Sequence, residues 1–345
     1  MPFVALSLPG STSNNQALFL YSDSTYTLAK AVEYLSFGIA AASLLLFVVG
    51  YFGSKLQSLE ANAVVQLAAL LIVTVENTGP TFEALTNLKL SLGVTPLFEG
   101  QFAYEDSVTP THFTPLFTKD DSISAINIFW ALFLVPLFLG AIFKLLAVTV
   151  FSENWQFGRM WKYSFGTFAY YGLLFLAYGI TAAMTLSLRH FRSDLSCGIG
   201  VIVGVLFLGC LIVWTAASAK YHNEFGSFKR KFFKFQLSQY HYAFIAAERV
   251  LTAVLVVSLS PGFWAAGTAA VVFSVEAVFL LVTKPYILGQ WKRPFFNKVL
   301  SVVICTLFIG ASVTSVDSTL NQMIPLAVLL ILLAVLVVAV IGSFQ

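Results

Sequence analysis

KYHNEFGSFKRKFFKF (220–235), YHYAFIAAERVLTAVLVVSL (240–259), SPG (260–262), FWAAGTAAVVFSVEAVFLLVT (263–283) and KPYILGQWKRPFFNK (284–298) form the stretch whose reading decides the fold. Each apolar block is about 20 residues long, and at ~1.5 Å per residue that length crosses a ~30 Å hydrocarbon layer. Only Ser260-Pro261-Gly262 joins the two blocks. The pair therefore reads as an antiparallel membrane hairpin. Lys and Arg crowd both of its ends and are missing from its turn. By the positive-inside rule the ends are cytoplasmic and the turn lies on the far side.

Composition supports the same class. Of 345 residues 58% are hydrophobic and 10% charged, with a mean hydropathy of +0.85. Soluble domains carry nearer 25% charged residues, so the chain reads as an integral membrane protein. A net charge of +3 is too small to suggest a nucleic-acid partner. Cys197, Cys210 and Cys305 fall in or beside apolar segments and form no CxxC pair.

Outward from the hairpin, the order of segments predicts an all-α polytopic bundle of about nine spans. Residues 1–30 are mostly polar, lack the basic start of a cleavable signal, and read as a short external segment. Residues 31–79 hold two helices, 31–52 and the shorter 59–75. Residues 80–122 carry six acids and four prolines and read as an acidic external loop. Residues 123–345 hold seven spans, at about 125–151, 163–188, 198–219, 240–259, 263–283, 299–316 and 323–341. Cytoplasmic basic linkers fall at 220–236 and 284–298. In this arrangement twelve of the nineteen Lys and Arg lie inside and five outside, the expected bias.

Arg249 and Glu276 are the sharpest candidates for function. They lie at similar distances from the hairpin turn, roughly mid-membrane, with Glu248 about 100° round the helix from Arg249. A charge at that depth costs ~2.5–3.5 kcal/mol, so it should face protein, water or a partner. The set reads either as part of an ion pathway or as a structural salt bridge that locks the hairpin.

The first basic linker has a second pattern. Phe225, Phe228, Phe232 and Phe235 share one face, while Lys229, Arg230, Lys231 and Lys234 occupy the others. This predicts an interfacial helix with affinity for anionic inner-leaflet lipid. Gly200 and Gly204 form a GxxxG, which favours close helix approach within the bundle or with another subunit. His112, His190, His222 and His241 lack metal-ligand spacing, and no HExxH, P-loop or GxSxG occurs. No enzymatic activity, metal or cofactor is therefore expected.

Lys284-Pro285-Tyr286 ends one span, and Pro294-Phe295-Phe296-Asn297 leads into the next. Asn87–Leu92 and Pro96-Leu97-Phe98 follow the short second helix. On these residues the chain resembles the TRP-like membrane family that includes polycystin-type and fungal flavin-carrier-type proteins. It is also similar to the C-terminal membrane region of very large surface proteins of ciliates and related protists. The resemblance implies a sensor-like group of spans, a possible cation pore and a plasma or ciliary membrane. One departure matters: only Asp317 to Gln322 joins the last two spans, too short for a pore helix and filter. A conducting path must then lie elsewhere or need a homo-oligomer. The rival expectation is a non-conducting anchor or scaffold subunit, attached to a partner protein through the 80–122 loop.

Overall fold

The structure, a computed structural model, describes residues 3–5, 20–52, 56–75, 80–92, 155–189, 195–220, 239–260, 262–284, 291–315 and 318–344. A short antiparallel ribbon, β1 (Phe3–Ala5) with β2 (Leu20–Ser22), precedes the helices. The helices are α1 (Asp23–Phe52), α2 (Leu56–Leu71), α3 (Pro80–Glu83), α4 (Trp155–Arg189), α5 (Leu195–Lys220), α6 (Gln239–Leu259), α7 (Phe263–Thr283), α8 (Lys292–Val313) and α9 (Thr319–Phe344). A 3-10 helix, Ala84–Leu92, continues α3. The expected span 125–151 and the phenylalanine-striped linker 225–235 lie outside the described residues.

Five helical segments are long and apolar enough to cross a membrane: Thr27–Val48, His241–Leu259, Phe263–Thr283, Lys292–Val313 and Thr319–Ile341. Shorter apolar stretches run through α2, α4 and α5. The protein is therefore a helical integral membrane protein with five candidate spans among the described residues. Outward faces carry many large apolar side chains. On α7 the exposed residues Val271, Val275, Val278 and Val282 follow a helical spacing, as a lipid-facing stripe does.

Helix α2 is the axis. Every residue from Leu59 to Leu71 is buried, and α1, the 3-10 helix, α4, α6, α8 and α9 pack around it. A helix apolar on all sides belongs in the centre of a bundle. The side-chain amides of two of its polar residues donate to neighbouring elements. Asn62 donates to Ser43 Oγ at 2.6 Å. Gln66 donates to the carbonyls of Ser91 and Phe175, each at 2.8 Å.

The first part of the expected external loop is not external. Phe82, Leu85, Leu88 and Ser91 are completely buried. Ser36 donates to the Ala84 carbonyl at 2.7 Å, and Ser91 lies against Gln66 in the middle of α2. The four buried positions recur every three residues, which is the period of a 3-10 helix. A search for α-helical periodicity misses that stripe. Residues 93–122, with most of the acids, lie outside the described residues.

One end of the bundle is knitted by backbone groups. The Gly262 N–H, at φ 122°, donates to the Thr74 carbonyl at 2.9 Å. Arg189, in the last turn of α4, donates to the carbonyls of Val257, at 2.9 Å, and Ser260. A cation at the C-terminal end of α6 also meets the negative end of its dipole. At the opposite, basic end, Lys284 closes α7 in a left-handed conformation, φ 43°, and its ammonium lies 5.4 Å from the Trp291 ring.

Gly204 lets α5 approach α4 inside the bundle. A Cβ there would lie 2.5 Å from Met184 Cγ and 2.6 Å from Met184 Cβ. The surroundings of Gly200 lie outside the described residues. Gly204→Ala should lower the thermal midpoint in detergent, because overpacking costs ~1–3 kcal/mol. That exceeds the ~1 kcal/mol gained in helix propensity. Adding Met184→Gly should restore part of the loss. An unchanged midpoint for Gly204→Ala alone would overturn the close approach.

Candidate functional site

Lys298 is the seventh residue of α8, and Glu276 lies seven residues before the end of α7. In an antiparallel pair those positions sit at the same depth, ~9–10 Å from the basic end. The Lys298 ammonium meets Glu276 Oε2 at 3.0 Å, Glu248 Oε2 at 3.2 Å and Glu60 Oε2 at 3.7 Å. It also lies 5.2 Å from the Phe273 ring centroid. Side-chain exposure of all four charged groups is 4% or less. Four helices, α2, α6, α7 and α8, thus converge on one ammonium.

Glu248 is the best-held acid. Beside Lys298 it accepts the Tyr178 hydroxyl at 2.7 Å from α4. Glu276 Oε1 is buried and has no hydrogen-bond partner. Glu60 is the most loosely tied of the three, by distance.

Arg249 does something different from what its spacing suggests. Its guanidinium donates to the carbonyls of Leu174, at 2.6 Å, and Leu59, at 3.3 Å. It also lies 5.8 Å from the Tyr178 ring centroid. Among the described residues no carboxylate stands within ion-pair distance of it. The expected Arg249–Glu276 bridge is therefore replaced by a Lys298–Glu276 bridge. The physical reason is rotation: depth along the hairpin matches, but the ~100° step between Glu248 and Arg249 turns only Glu248 toward α8. Arg249 instead reaches across to α2 and α4, where helical carbonyls have a second lone pair to offer.

Lys298 was expected in the cytoplasmic linker 284–298. The structure begins α8 at Lys292 and buries Lys298. Pro294 does not block this early start, because a first-turn proline lacks only an N–H that is unpaired anyway. Glu60 also escapes a reading of the sequence, since one acid near the end of an apolar run looks able to reach water. A usable signal existed in the equal depth of Glu276 and Lys298 on either side of the 284–291 connection. Of the family-like residues, Asn297 lies on α8 one position before Lys298, Lys284 caps α7, and Pro285 and Tyr286 lie outside the described residues.

His241 is buried, with its ring 5.9 Å from Phe244 and 6.2 Å from Phe279. Among the described residues no group of three or more His, Cys, Asp or Glu could hold a metal ion.

Lys298→Met leaves three buried carboxylates without their shared counter-charge. Breaking a buried pair in this way costs ~3–5 kcal/mol. Tyr178→Phe removes one hydrogen bond to a charged group, ~1.5–3 kcal/mol. Thermal unfolding in detergent should therefore rank wild type above Tyr178→Phe, and that above Lys298→Met. Equal midpoints for wild type and Lys298→Met would show that the ammonium does not hold the centre together. No family model, curated protein or solved structure matches this chain, so nothing in those comparisons bears on the TRP-like resemblance.

Proposed function

We propose that the chain is a nine-span, TRP-like, channel-related membrane protein whose acid-rich centre handles cations. One observation carries the reading: three carboxylates from three helices share a single ammonium inside the bilayer. Acids in excess of bases are expensive at that depth and are kept where an ion pathway or relay uses them. The end of α8 at Val313 and the start of α9 at Thr319 leave no room for a pore helix. A conducting path on this reading therefore lies beside the α2–α6–α7–α8 junction or between subunits of an oligomer. The 225–235 linker serves as a contact with anionic inner-leaflet lipid, and a plasma or ciliary membrane is the location.

The near-complete burial of the four charged groups favours a second reading. A sealed centre suits a helix lock, and the protein is then a non-conducting anchor that engages a partner through the 80–122 region.

Currents recorded from reconstituted or surface-expressed protein separate the two. Glu276→Gln, made at normal expression, should abolish conductance. Unchanged currents overturn the pore role and leave the anchor. The orientation has its own check. Ser315→Cys, exposed where α8 ends, should react with an impermeant maleimide added outside the cell. Lys284→Cys should react only once the membrane is opened. The reverse pattern would invert the topology.

A further inference from the structure

Helices α4 and α6 run parallel, because the residues that join them rise together in number. Tyr170 donates to the Tyr242 carbonyl at 2.7 Å, Tyr178 to Glu248 at 2.7 Å, and Arg189 to the Val257 carbonyl at 2.9 Å. Beyond Tyr178 the face of α4 that meets α6 is polar. Tyr178, Thr181, Thr185 and Arg189 follow at intervals of three and four residues, the spacing of one helix face. Across the seam α6 presents Glu248, Thr252, Val256 and Ser260 at intervals of four. The rung after Tyr178–Glu248 is therefore Thr181 beside Thr252, about 5 Å nearer the hairpin turn.

Four buried polar atoms around this rung have no hydrogen-bond partner among the described residues. Thr181 Oγ1 and Thr252 Oγ1 bond neither each other nor a carbonyl of their own helix. Arg249 Nε, one turn before Thr252, is unpaired although both ends of the guanidinium fork donate. Gln66 Oε1 is unpaired although its amide nitrogen donates to the carbonyls of Ser91 and Phe175. Arg249 and Gln66 are neighbours, since they bond the adjacent carbonyls of Leu174 and Phe175 on α4. All four residues are 1% exposed or less.

The make-up of this set selects the ligand. Arg249 Nε–H only donates, Gln66 Oε1 only accepts, and each threonine hydroxyl does both. The guanidinium repels a cation. The Gln66 oxygen, with the Glu248 carboxylate one rung away, repels an anion. The amide cannot turn over to help one, because its nitrogen is engaged at two carbonyls. A small neutral molecule that both donates and accepts meets every member, and buried water bonds otherwise unsatisfied groups in this way.

We propose that the junction of α2, α4 and α6 is a binding site for internal water, held by Thr181, Thr252, Arg249 and Gln66. The water carries the network of Lys298, Glu248 and Tyr178 one rung toward the hairpin turn. Thr185, and then Arg189 with Ser260, complete the polar seam at that end. The site depends on the packing of three helices and not on conduction.

Isosteric valine variants of the full chain in detergent test the site. Thr181→Val and Thr252→Val should each lower the thermal midpoint by about 1–3 °C. The double variant should lose no more than the larger single loss, because either change removes the same bound water. Additive losses would mean that each hydroxyl acts alone and would overturn the shared site. Unchanged or raised midpoints in the single variants would also overturn it, since a methyl suits a dry site better than an unpaired hydroxyl. Exchange of chloride for gluconate should leave the wild-type midpoint unchanged; a midpoint that rises with chloride would replace water by an anion. A cryo-electron microscopy map at about 2 Å should show a peak ~2.7–3.2 Å from both hydroxyls. Hydroxyls turned onto their own helix carbonyls, with no peak between them, would sink the proposal.

Discussion

One ammonium constrains the architecture. The oxygen atoms that surround Lys298 come from residues 60, 248 and 276, on a hairpin of two consecutive helices and on α2, far earlier in the chain. Lipid tails are as apolar as the helices, so burial of apolar surface does little to choose which helix faces which. A shared charge does choose. A one-residue slip of any of these helices turns its side chain by about 100° and carries a carboxylate out of reach. The penalty is then an uncompensated buried charge, which outweighs what the intact cluster contributes to stability. The cluster therefore acts mainly as a device that fixes register among α2, α6, α7 and α8.

Helix α2 follows from the same constraint. It is short for a spanning helix, 16 residues with a 3-10 turn after it. Length matters less where protein surrounds the helix on all sides. Its polar residues then become contacts: Asn62 to α1, Gln66 to both the 3-10 helix and α4, and Glu60 to α8. The 3-10 helix at Ala84–Leu92 can lie at membrane depth for a related reason. Its stripe of Leu85, Leu88, Ser91 and Leu92 is buried and the helix packs on α1 and α2, and irregular backbone is tolerated at that depth where protein covers it.

The two buried cations show how different side chains solve one problem. Lys298 is a compact point charge and collects carboxylates. Arg249 spreads its charge over a planar fork and is held by two backbone carbonyls and a tyrosine face. Adjacent residues on one helix, Glu248 and Arg249, are thereby sent to separate networks. Tyr178 touches both, through its hydroxyl to Glu248 and its ring to Arg249.

Much of the helix layout was legible in the sequence. Apolar runs of membrane length and the Ser260-Pro261-Gly262 turn place α6 and α7 to within a residue of their observed ends. Such features are local: length and hydropathy act residue by residue, so a linear reading recovers them. The buried state of Glu248, Arg249 and Glu276 was legible for the same reason, because mid-span charges have nowhere else to go. Their pairing was not. It depends on the azimuth of each helix, on α2 arriving from far earlier in the chain to bring Glu60, and on α8 beginning early enough to carry Lys298 inside. The 3-10 stripe was hidden because its period is three and not 3.6. Sequence by itself determined that this is a helical membrane protein with charges inside it. Tertiary structure alone decided which charges meet, because charge pairing is set by distances of a few ångströms between helices, and linear spacing fixes depth but not rotation.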